Sequence, residues 1–193
     1  MTSSRTWQTV LRQLRVSAVA AVSAMPLLVA CSGVASRVAL PAKSAARIPA
    51  PLSGPVSGTP RQQVAAALAG YTDALSRAEQ SRSDVLARAL LRPYLAASRI
   101  RGMVDAIRAI WSRGDGFYGT DVLHILTVRI DGRRAFVHEC DNTSGMGLTS
   151  ESSGQVVPGS AGVEHANLIT RLDLVARHWV VESQLPEDVP CAS

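Results

Sequence analysis

Apolar residues recur along this chain at two different spacings, and the switch between them, from Gly114 to Thr120, restricts the fold more than any other feature. Before the switch, Val64, Leu68, Tyr71, Leu75 and Ala78 return every three or four residues on an Ala-rich background, as they do in a helix with one buried stripe. Thr59-Pro60 opens this helix, which is expected to end near Gln80. Ser83 can cap a second helix over 84–91, and Pro93 follows its end. A third helix carries Ile100, Met103, Val104, Ile107, Ile110 and Trp111 on one face and stops near Gly114.

After Thr120 the period becomes two. Asp121–Ile130 and Arg133–Cys140 flank an Asp131-Gly132 turn, a strong hairpin signal. Glu164–Ala176 and Trp179–Leu185 form a second hairpin turning at Arg177-His178. In it Leu168, Thr170, Leu172 and Leu174 mark one face of the first strand, and Trp179, Val181 and Leu185 the same face of the second, with Glu182 and Gln184 on the wet side. The Gly/Ser-rich stretch 141–162 offers at most one short strand, around Gln155-Val156-Val157. Helices followed by antiparallel strands predict an α+β fold, with the N-terminal helices packed on one face of a sheet of four to five strands.

Residues 1–30 stand outside this pattern. They contain Arg5, Arg12 and Arg15 but no acidic residue, and Val16–Ala30 is uncharged. That apolar run is about 15 residues long against the roughly 20 that cross a bilayer, so it reads as a signal peptide removed after export. Leu28-Val29-Ala30-Cys31 resembles the lipobox of bacterial lipoproteins. The resemblance implies cleavage after the small Ala30 and a thioether from Cys31 to diacylglycerol. The fatty-acyl chains, palmitate or similar, would hold the mature protein on the cell membrane, facing outside the cytoplasm, without spanning it. Residues 31–60 then comprise the lipidated Cys31 and a Ser/Ala/Pro/Gly tether reaching about 30 Å as a flexible coil. Residues 61–193 form the folded domain.

The formal charge of +5 includes the three leader arginines, which leaves +2 for the rest. No basic stripe with interleaved aromatics remains, and nucleic acid is not expected as a partner. Besides Cys31 there are Cys140 and Cys191, and an exported pair invites a disulfide worth about 4 kcal/mol for a loop of this length. A metal would be the competing use, but there is no Cys-x-x-Cys, and His138-Glu139-Cys140-Asp141 crowds its groups onto one strand end. Neither a metal nor a cofactor is expected.

In chain order, Arg92-Pro93-Tyr94-Leu95, Ala109-Ile110-Trp111, His138-Glu139-Cys140-Asp141 and His178-Trp179-Val180-Val181 sit within three helices and then strands. This order looks like the NTF2-like (SnoaL-like) cone, and the whole chain resembles actinobacterial lipoproteins. The resemblance implies a curved sheet and a conical pocket between sheet and helices, used for turnover, binding or assembly. The family usually inserts a short strand between its second and third helices, and Leu91–Ser98 offers no good candidate for one.

The candidate pocket residues are Asp121, His124, His138, Asp141 and Trp111. His138 shares strand parity with Phe136 and Cys140, and His124 with Val122, Leu126 and Val128, so both are expected to point inward as core residues. Asp141 is expected to bond the amides of the loop after it. Gly159-Ser160-Ala161-Gly162 lacks the spacing of a nucleophile elbow, and nothing resembles a phosphate loop. With an anchor, a tether and no catalytic motif, the expected function is a non-enzymatic module binding a protein or a small apolar ligand. A SnoaL-like isomerase, dehydratase or hydrolase is the alternative, and self-association through the sheet is a third class.

Overall fold

A computed structural model describes residues 58–189 and Cys191. The leader, Cys31 and the tether up to residue 57 lie outside the described residues. Three helices come first: α1 Pro60–Gln80, α2 Asp84–Leu91 and α3 Ala97–Trp111. Six strands follow: β1 Asp115–Tyr118, β2 Ile125–Asp131, β3 Arg134–Asp141, β4 Gly147–Ser150, β5 Ala166–Val175 and β6 His178–Pro186. Local chemistry sets the helix starts. Thr59 Oγ1 accepts from the Gln62 amide while Gln62 Oε1 accepts from the Thr59 amide, a reciprocal cap, and Pro60 occupies the first turn. Ser83 Oγ caps α2 by accepting from the Leu86 amide. Among the described residues no helix is long and apolar enough to cross a membrane.

The α+β architecture matches the expectation from the sequence. Strands β2-β3-β5-β6 form one antiparallel sheet, and β1 and β4 pair separately as a second, two-stranded sheet. The helices bury Val64, Leu68, Tyr71, Leu90, Leu91, Val104 and Ile107 against Ala135, Val137, Leu172, Trp179 and Val181 of the larger sheet. Each large side chain withdrawn from water in this way contributes about 1.5–3 kcal/mol.

The two-stranded sheet was not legible in the sequence. Both strands have only four residues, β1 is Asp-Gly-Phe-Tyr, and neither shows an alternating run. The strand expected near Gln155-Val156-Val157 amounts to one bridge, Thr149 to Val156. Between α2 and α3, Leu95 bridges Val181 in parallel, with the Val181 amide donating to Tyr94 O and the Ala96 amide to Val181 O. This one-residue strand occupies the place the family resemblance assigns to a short strand.

Two bulges redirect side chains that simple alternation assigned to the other face. In β2, Ile125 pairs with Glu139 but Thr127 pairs with His138, so Leu126 is the extra residue. Parity therefore breaks there: Val128 packs on the core while Val122, His124 and Leu126 are exposed. In β6, Val181 pairs with Leu172 and Ser183 with Arg171, so Glu182 is extra. Beyond it Gln184 shares the inward face with Thr170, and Leu185, expected inside, is 41% exposed.

The hairpin turns lie one residue away from the expected pairs, at Gly132-Arg133 and at Ala176-Arg177. The second is a two-residue turn with positive φ at both positions, 47° at Ala176 and 70° at Arg177, neither of them glycine. Side chains with a Cβ resist this region, and asparagine and glycine tolerate it. The double substitution Ala176→Asn/Arg177→Gly should stabilise the domain by about 1 kcal/mol, read as a higher urea midpoint at unchanged slope.

Candidate functional site

Four carboxylates gather where α1 crosses the start of β2 and the end of β3. Glu79 comes from the last turn of α1, Asp121 from the segment before β2, and Glu139 and Asp141 from the inward face of β3. Backbone pairing beyond the β2 bulge brings them together. Val122 and Asn142 exchange both hydrogen bonds at 3.0 Å, and the Cys140 amide donates to His124 O at 2.8 Å. This pairing lays Asp121 beside Asp141, whose Oδ1 accepts from the His124 amide at 2.9 Å.

Glu139 and Asp141 are both 0% exposed, and none of the ion pairs among the described residues includes Glu79, Asp121, Glu139 or Asp141. Without a neutralising cation, burial favours the protonated form. Burial pushes Glu79 up to about 8, helped by the charge of Asp121. Asp121 is pushed up to about 7 by burial, then by the charge and hydrogen bond of Asp141. Burial also raises Glu139 to about 8, with Thr170 opposing and Asp141 adding to the rise. Asp141 is raised by burial, against the pull of the His124 amide and of its bonds to Glu139 and Asp121. Asp141 thus sits between the carboxyls of Glu139 and Asp121, and adjacent carboxylates in a buried row cannot all be charged, so the three titrate together.

Neutral groups complete the surroundings. Gln184 Nε2 donates to Glu139 Oε2 at 3.4 Å, an interaction the β6 bulge makes possible. Tyr71, two turns before Glu79 on α1, is buried, and burial followed by the charges of Glu79 and Glu139 raises its hydroxyl far above the ordinary range. Oxygens of Asp121, Glu139 and Asp141 remain without hydrogen-bond partners inside the protein. Such atoms are costly when buried and mark places where protons, water or a ligand are to be supplied.

Asp121 is also the member that lines an open groove. A groove of about 330 Å³ runs between α1 and the segment before β2, with Thr72, Ser76, Arg77 and Gln80 facing Thr120 and Asp121. Gln80 Nε2 ties the two walls by donating to Gly119 O at 3.2 Å. Apart from Ala69 and Leu123 the lining residues carry polar groups, among them Arg77, which pairs with Asp73 at 3.5 Å.

Of the residues singled out from sequence, the structure brings Asp121 and Asp141 together. The histidines do not join them. His138 lies on the outer face of β3, its Nε2 2.7 Å from Asn167 Oδ1, because the inward face is Ala135, Val137, Glu139 and Asp141. His124 contributes its amide, while its side chain sits on the exposed side of the bulged segment. Asp141 bonds that amide, not the loop amides expected of it; Asn142 bonds Ser144 in its place. Trp111 does not line the groove; its Nε1 donates to Glu79 O at 2.9 Å, and so it props the turn that carries Glu79. Cys140 and Cys191 are joined, with Cα atoms 5.8 Å apart. Sequence reasoning missed Glu79, Glu139, Tyr71 and Gln184. A faint signal existed in the spacing of Tyr71 and Glu79, eight residues apart on the same side of a helix.

No protein-family model and no curated protein matches this chain. Among solved structures, the intermembrane space region of chloroplast protein ARC6 is similar over 67% of this chain and 98% of its own, at 12% identity and a TM-score of 0.51. The Kfla4162 protein from Kribbella flavida matches 65% of this chain and 88% of its own, at 12% identity and a TM-score of 0.45. An NTF2-like protein from Shewanella baltica matches 70% of this chain and all of its own, at 13% identity and a TM-score of 0.37. At such identities the likeness to the ARC6 region speaks for the fold and for nothing chemical.

Proposed function

We propose that the domain is an acid–base site for a small polar molecule, held at the outer side of a cell membrane by a lipid on Cys31. The observation that carries the chemical part is Asp121: it lines a groove and abuts a buried carboxyl row, and burial together with the charge of Asp141 raises it to about 7. A group that titrates near the working pH is the one best placed both to take and to give a proton. Asp141 and Glu139 act through Asp121 by storing or releasing the shared proton. Isomerisation, dehydration or hydrolysis, the chemistry that the SnoaL-like resemblance implies, all need such a group. The anchor rests on the lipobox sequence and the short apolar leader alone.

Most residues lining the groove carry hydrogen-bonding groups, so a ligand with polar groups suits it better than the wholly apolar one of the first expectation. Binding of a polar ligand without turnover remains the second reading, and it is favoured by one feature: Glu139 and Asp141 are closed off, so of the buried row only Asp121 meets a ligand in the groove, beside the exposed Asp73. A panel of small hydroxy-carbonyl and hydroxy-acid compounds, followed by NMR in deuterated water, separates the two. Exchange at carbon or loss of water with the wild type, reduced about 100-fold or more by Asp121→Asn, is the expected result. Binding to the groove with no turnover of any compound leaves the second reading, and neither binding nor turnover overturns both.

A further inference from the structure

The outer face of the four-stranded sheet carries a second group of chemically able residues that the groove does not use. His165, just ahead of β5, places Nδ1 4.0 Å from Cys140 Sγ. The sulfurs of Cys140 and Cys191 and this histidine each offer a ligand atom, and the three lie within 4.8 Å of one another. Tetrahedral zinc with two sulfurs and one nitrogen asks for separations of roughly 3.5–3.8 Å, given bonds of about 2.3 and 2.0 Å. Cys140 and Cys191 are 7% and 9% exposed, whereas His165 is open to solvent, so the group is reachable from one side.

The C-terminal strap does not depend on the disulfide alone. Asn167 Nδ2 donates to Val189 O at 2.8 Å, and the Glu187 amide donates to Asn167 O at 2.8 Å. Asn167 Oδ1 in turn meets His138 Nε2. These bonds keep residues 187–189 against β5, and hence Cys191 near Cys140, when the sulfur–sulfur bond is open.

We propose that reduction of the Cys140–Cys191 disulfide turns this corner into a site for a thiophilic divalent cation, zinc foremost, held by the two thiolates and His165 Nδ1 with a fourth position left to water. A dithiol reductant supplies two electrons and two protons, becoming a disulfide itself and leaving two cysteine thiols. Binding of the cation then releases those two protons to solvent. The oxidised form has no thiolate to offer, so the disulfide state gates the site.

Cobalt(II) is the probe, added to the purified chain before and after treatment with a phosphine, which takes up oxygen from water and leaves two thiols. The reduced chain should bind one cobalt with a thiolate-to-metal charge-transfer absorption that zinc abolishes, and the oxidised chain should show none. His165→Ala, an exposed change that leaves the fold intact, should weaken cobalt by at least about tenfold, the smallest loss seen even for outer-shell partners. Equal affinity in His165→Ala and wild type, or no charge-transfer band in the reduced wild type, overturns the proposal. If reduction alone unfolds the domain, zinc must restore its circular dichroism; a chain that stays unfolded with zinc present also overturns it.

Discussion

Replacing Glu139 with glutamine should raise the unfolding temperature of this domain by about 5 °C or more near pH 8 and change it little near pH 4. Glu139 is 0% exposed, has no cationic partner, and is raised from 4.5 to about 8, with burial as the main cause. A carboxyl whose pKa is higher in the folded state than in the unfolded state favours folding when protonated. That contribution is complete below about 4.5 and fades as pH climbs to about 8, because the unfolded chain ionises freely while the folded one resists. Glu79 and Asp121, raised to about 8 and about 7, act in the same direction. The wild type should therefore lose stability steadily from about pH 4 to about pH 8, at roughly 1.4 kcal/mol for each pKa unit of a single group. Glutamine keeps the shape, accepts no proton, and gives Asp141 a donor in place of a competing acid. Thermal unfolding of both chains at several pH values decides the matter. Parallel curves would mean that Glu139 titrates as it does in water and that the carboxyl row is not what it is taken to be.

The helices were legible because each announces itself locally. Thr59-Pro60 and Ser83 cap as their residue types require, and the apolar stripes of α1 and α3 have one face each. The site was only half legible, for a physical reason that sits in β3. Its two faces, Ala135-Val137-Glu139-Asp141 and Phe136-His138-Cys140, are about equally apolar in sequence, and the bulkier set looks like the core. The fold chooses the other. Phe136 is instead covered from outside by the Arg129 guanidinium, 4.7 Å from its ring, and Cys140 by its disulfide. Once that choice is made, Glu139 must be buried and Asp141 must find Asp121. The bulges at Leu126 and Glu182 reverse the facing of His124 and Gln184, and alternation over a few residues carries no information about an inserted one. Asp121 and Asp141 could be picked out from their positions at strand ends; their partners could not, because Glu79 lies more than forty residues away on a helix whose pattern reads as ordinary surface.

Changing both cysteines to serine should cost the domain about 4 kcal/mol, since the bond closes a loop with a sequence separation of 51. The location of the pair argues that this chain-entropy figure is close to the whole effect. Cys140 faces outward from β3, away from Leu172 and Val137, so its loss opens no cavity in the core of the sheet and helices. Serine fits the space, and the Asn167 bonds still hold the strap in the folded state. The substitution thus acts chiefly on the unfolded chain, which gains freedom that the crosslink had denied it. Urea unfolding should show a lower midpoint with an unchanged folded-state spectrum, and unfolding should become faster or refolding slower by a combined factor of about a thousand. A cost below about 1 kcal/mol would show that the unfolded chain is already compact around this loop, and would remove the entropic argument. The same variant also distinguishes crosslink from ligand: zinc should recover stability in the reduced wild type, where both thiolates are present, and give none to the double serine, which has only His165 left to bind it.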